Sequence, residues 1–70
     1  MRVFNKKYWP HQIRLDKGAY KNIWLDNDED LKKIERWCYD TLKSKDWHNS
    51  GYYFVFKRGK DATMFTLRWV

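Results

Sequence analysis

Seventy residues form a single small domain, 1–70, and a chain of this length buries only about 60% of the surface its unfolded form exposes. One cysteine, Cys38, excludes an intramolecular disulfide, and one Cys with two separated histidines, His11 and His48, gives no zinc-ligand spacing. Fourteen aromatics must therefore supply the packing that a disulfide or metal gives other small domains, and a formal charge of +6 favours anionic partners.

The start, "MRVFNKKYWPHQ", has no apolar core of a signal peptide, and no run approaches the roughly 18 apolar residues of a membrane span. A cytoplasmic protein is expected, and a lone thiol suits a reducing compartment. No internal repeat or low-complexity linker divides the chain. The charge is unevenly spread: residues 1–25 carry +5, residues 26–46 carry −2 and residues 47–70 carry +3. Pairing of the two ends in one sheet would leave a basic side and a more acidic helical side.

The first expected strand holds His11, Ile13 and Leu15 alternating with Gln12 and Arg14, and begins at or after Pro10, which cannot donate to a central ladder. "DKG", Asp16 to Gly18, has turn chemistry, and Tyr20 to Leu25 is a candidate second strand. Leu31, Ile34, Cys38 and Leu42 then recur at i, i+3, i+7 and i+11, with Trp37 and Thr41 flanking them, which predicts an amphipathic helix over 28–43. Asn27 or Asp28 is its expected cap, Glu29 and Asp30 suit the positive end of the helix dipole, and Lys43 and Lys45 suit the other end.

After the helix, "KSKDWHNSG" reads as a polar loop, and Tyr52 to Lys57, with its apolar run from Tyr52 to Phe56, reads as a strand. Residues 61–70 fit two patterns. As a strand, Phe65, Leu67 and Trp69 share one side; as a helix, Asp61 is the N-cap and Ala62, Phe65 and Trp69 form the buried stripe. The fold class expected is α+β: a small antiparallel sheet of two to three strands on one amphipathic helix, closed by a second short helix or an edge strand.

Catalytic chemistry has little to stand on. Cys38 falls on the apolar helix stripe, where a thiol is a small hydrophobe, and His48 has no partner within its own loop to make it a base. "DNDED", Asp26 to Asp30, lacks the Gly and distal Glu of a calcium loop, and the three glycines are isolated, so no phosphate-cradling loop occurs. The expectation is a non-enzymatic protein without metal or cofactor. Lys57, Arg58 and Lys60 follow the aromatic strand within reach of a phosphate backbone, and Arg14 and Lys17 extend the basic side. Tyr53 and Trp47 join them as candidate partner-binding residues, because exposed Tyr and Trp anchor interfaces. If Tyr52, Phe54 and Phe56 pack on the helix, Tyr53, Val55 and Lys57 face outward.

Two resemblances bear on these residues. "GYYFVF" resembles the central-strand signature of RNA-recognition motifs, in which alternate aromatics stack on bases. Gly51, Tyr52, Phe54 and Val55 match; Ser50, Tyr53, Phe56 and Lys57 depart from it, and the stretch between Leu42 and Gly51 reads as too short for the extra strand that family has there. The second pattern is Phe54-x-Phe56-x4-Asp61-Ala62-x-x-Phe65-x-Leu67-Arg68-Trp69, preceded by a helix bearing "RWCYDT". It resembles short uncharacterised proteins of T4-like tailed phages and spans about half the chain. That resemblance implies a viral accessory protein in a bacterial cytoplasm, and favours the helix for the last segment. The expected function is thus that of a non-catalytic accessory protein that binds, and modulates or inhibits, a host intracellular protein of transcription, DNA metabolism or defence; the alternative is DNA or RNA binding on a basic, aromatic sheet face.

Overall fold

The computed structural model describes residues 5–70. Its architecture is α+β in two layers: a three-stranded antiparallel sheet with two helices on one face. In chain order the elements are β1 (His11–Arg14), β2 (Gly18–Ala19), β3 (Trp24–Leu25), α1 (Asp28–Thr41), β4 (Trp47–Ser50), β5 (Tyr53–Phe56) and α2 (Gly59–Trp69), with a 3-10 turn at Ser44–Asp46. The sheet order is β1-β5-β4.

β5 is central because it is the most apolar strand: Phe54, Val55 and Phe56 have no exposed surface, and only a strand flanked on both sides buries consecutive residues. The register places Ile13 and Asn49 on either side of Phe54, and His11 and Trp47 on either side of Phe56. β1 and β4 both run antiparallel to β5 and hence parallel to each other, so β1, α1 and β4 form a split β-α-β unit with β5 inserted between its strands.

"KSKDWHNSG" is therefore not a loop. Trp47–Ser50 forms β4, joined to β5 by the two-residue turn Gly51-Tyr52. Gly51 has φ 58° and Tyr52 has negative φ, the pattern of a type II′ hairpin turn, whose twist matches the flanking strands. Polar residues with low strand propensity are carried into the sheet by pairing with β5. Tyr20 to Leu25 also departs from expectation. It does not return against β1; Gly18–Ala19 and Trp24–Leu25 pair with each other, closed by Tyr20 N–H donating to the Ile23 carbonyl at 2.8 Å.

α1 starts where its sequence directs. Asn27 Oδ1 accepts from the N–H of Glu29 at 2.9 Å and of Asp30 at 3.2 Å, while the Asp30 carboxylate accepts from Asn27 N–H at 3.3 Å, a complete capping box. The helix ends at Thr41, so Lys43 and Lys45 lie beyond its last turn. Leu31, Ile34 and Cys38 are buried along its inner face.

α2 resolves the ambiguity at 61–70 in favour of a helix, with Phe65 and Trp69 buried. Its cap is Arg58, which makes no side-chain capping bond, and Asp61 sits one turn inside rather than at the cap. Trp37 meets both Phe65 and Trp69 edge-on, at 6.3 and 6.2 Å between ring centroids, and so joins the two helices. Phe65 also contacts Phe54 and Phe56, at 5.0 and 5.2 Å, which seats α2 on the central strand. Full burial of each of these rings contributes about 2 kcal/mol. No helix among the described residues is long and apolar enough to cross a membrane.

Candidate binding surfaces

Strand alternation sends His11, Ile13, Trp47, Asn49, Phe54 and Phe56 toward the helices, and Gln12, Arg14, His48, Ser50, Tyr53 and Val55 to the opposite face. None of the three strands contains Asp or Glu. Lys57 follows β5 on the helix-free side, with its Nζ 5.3 Å from the centre of the Trp9 ring, and Trp9 stacks on His48 at 6.3 Å. Tyr53 Oη donates to Gln12 Oε1 across the β1–β5 ladder. Val55 points to this side as expected, yet it is fully buried rather than outward-facing to solvent, flanked by Gln12 and His48. This face thus has a small apolar floor of its own.

Of the residues singled out from sequence, Arg14, Tyr53 and Lys57 come together on the helix-free face, with Tyr53 partly buried and the two cations exposed. Lys17 is exposed in the turn after β1. Arg58 and Lys60 are exposed where α2 begins, and Arg58 Nε lies 4.0 Å from an Asp46 carboxylate oxygen. Trp47 is no anchor. Only 4% exposed, it faces the helices and packs on Phe54 at 6.2 Å and edge-on to Tyr39 at 5.0 Å.

The likeness to the RNA-binding strand is also out of phase. The aromatic at Phe54 that matches the stacking position is buried beneath the helices, and the residue facing the free side is Tyr53, which holds the motif's small-residue position. A shift of one residue inverts every side chain of a strand.

Sequence reasoning missed a second surface. An open groove of about 580 Å³ runs between residues 10–13 and the outer side of α2, where Ala62, Thr63, Thr66 and Leu67 line it. Its position follows from helix periodicity: Asp61, Phe65 and Trp69 turn inward, so the 59-62-63-66-67 side of the helix faces the edge of β1. Leu67 is 65% exposed within it, an apolar side chain that the core does not use. The groove narrows where His11 meets the start of α2; a Cβ on Gly59 would lie 3.2 Å from the imidazole, tighter than ordinary contact. The signal for this surface was the Leu67 position itself, apolar yet outside the Ala62-Phe65-Trp69 stripe.

Cys38 is fully buried, and burial, assisted by the neighbouring Glu35 carboxylate, pushes its thiol up to about 12. Such a thiol is protonated at neutral pH. Among the described residues, no group of three or more His, Cys, Asp or Glu side chains could hold a metal ion. No protein-family model, curated protein or solved structure matches the chain.

Proposed function

We propose that this chain is a non-catalytic protein-binding module, and that the groove between β1 and α2 is its contact surface. The observation that carries the reading is Leu67, exposed in an open groove beside an edge strand; Tyr8, Trp24, Tyr39 and Val70 are also exposed but do not line it. The resemblance of its terminal pattern to tailed-phage proteins supports a phage accessory protein acting in the host bacterial cytoplasm. Its partner would then be a host protein of transcription, DNA metabolism or defence, which it modulates or inhibits by occupying a surface.

The test is capture from nuclease-treated bacterial lysate with the wild-type chain and with Leu67→Glu. A stoichiometric partner held by the wild type and lost by the variant supports the reading. Equal capture by both, or no stoichiometric partner, overturns it.

A second reading draws on the carboxylate-free sheet. α1 holds five acids and three bases, −2 in all, so the rest of the chain carries +8. Arg14 and Lys57 are exposed cations on the helix-free face, and Lys17, Arg58 and Lys60 are exposed beyond the ends of β1 and β5, where they suit a phosphate backbone. Binding of single-stranded DNA through four such contacts would fall with salt at a log-log slope of about −3. Absence of a gel shift at low salt with both single- and double-stranded nucleic acid removes this reading.

A further inference from the structure

We infer that the groove receives an extended segment of about four residues, apolar at its centre and acidic at both ends, which adds to the sheet as a strand beside β1. The inference rests on the protein-binding reading and names its ligand chemistry.

The topology fixes the position. β1, α1 and β4 show how this fold uses a crossover: a strand, a helix on the sheet face, and a parallel strand placed on the far side of an intervening one. β5 and α2 begin a second unit of the same kind, and the equivalent third member would lie parallel to β5 on the far side of β1. Among the described residues, no strand occupies that edge. The backbone there is suited to one. Leu15 N–H donates to the Tyr52 carbonyl at 2.9 Å, so the hydrogen-bonded pairs of this ladder are the odd-numbered residues of β1, and the N–H and C=O of Arg14 point away from β5.

Length and charge then define the occupant. From Gly59 to Leu67 a helix advances about 12 Å, the reach of about four extended residues. Ile13, Ala62 and Leu67 offer an apolar centre, and Thr63 and Thr66 flank it without charge. Lys60 stands on the rim one turn before Thr63. At the other end lies Lys21, whose Nζ donates to the Leu67 carbonyl at 3.2 Å. No acid lines the groove; Asp61, on the same helix, is buried, and Asp16 lies 4.0 Å from exposed Arg14 in a contact of little energy.

The experiment is a titration followed by amide chemical shifts, using three blocked pentapeptides with a valine-leucine-valine centre flanked by glutamate, glutamine or lysine. The expected result is that the glutamate peptide shifts residues 11–14 and 62–67, binds at least tenfold more tightly than the lysine peptide, and loses at least tenfold in affinity with Leu67→Glu. Leu67 is exposed, so the variant should melt as the wild type does, and a circular-dichroism melt verifies this. Equal binding of the glutamate and glutamine peptides at the groove overturns the acidic flanks while leaving the protein-binding reading intact. Shifts confined to the helix-free face, or none with any peptide, overturn both. A concentration-dependent dimer with β1 at its interface overturns the inference by assigning the edge to a second copy of the chain.

Discussion

Two buried indoles carry an unmet cost. Trp47 and Trp69 are 4% and 6% exposed, and neither Nε1–H has a hydrogen-bond partner among the described residues. Leaving a buried donor unpaired costs about 1–3 kcal/mol, comparable to the apolar area lost when Trp becomes Phe. Trp69→Phe should therefore change stability by less than about 1 kcal/mol in urea unfolding, where a well-satisfied core Trp would lose more. Cys38 gives a prediction in pH. Its folded value is raised from 9.0 to about 12, so the buried neutral thiol stabilises the fold fully below pH 9, and that contribution is lost as pH rises toward 12. Lysines and tyrosines titrate in the same range, so the comparison is with Cys38→Ala. The stability advantage of the wild type over that variant should shrink between pH 9 and 11; an unchanged difference contradicts the burial of the thiol.

Elements were legible in proportion to how far local pattern decided them. α1 has a periodic stripe and a self-contained cap, so its position could be read within two residues, and Asn27→Ala should cost about 1 kcal/mol, measurable in thermal or urea unfolding. β5 was legible from its apolar run. β4 was not, because Trp47, His48, Asn49 and Ser50 acquire strand geometry from β5 and from the turn at Gly51, a non-local effect. The available sign was the Gly-Tyr pair between two segments of equal length. At φ 58° an L-residue is strained, so Gly51→Ala should destabilise the hairpin by about 1 kcal/mol, and amide exchange in β4 should accelerate while that in α1 holds. Of the candidate site, the grouping of Arg14, Tyr53 and Lys57 could be anticipated from alternation once β1 and β5 were paired. The groove could not, since it depends on α2 lying along β1, which neither segment encodes by itself.

At the scale of the molecule, the two helices cover one face of a three-stranded sheet and leave different chemistry at its other surfaces. The helix-free side is basic, with a partly buried Trp9 ring stacked on exposed His48; the β1 edge is apolar at its centre with cations at both ends. An apolar groove discriminates partners by the side chain it buries, whereas a cationic face responds mainly to charge and therefore to salt. The most direct measurement is the affinity of the captured protein for the wild type, Leu67→Glu and Lys57→Glu, by calorimetry at low and high salt. Binding at the groove predicts at least a tenfold loss for Leu67→Glu, little change for Lys57→Glu and a shallow salt dependence. A loss confined to Lys57→Glu with a steep salt dependence would contradict it and assign the function to the basic face.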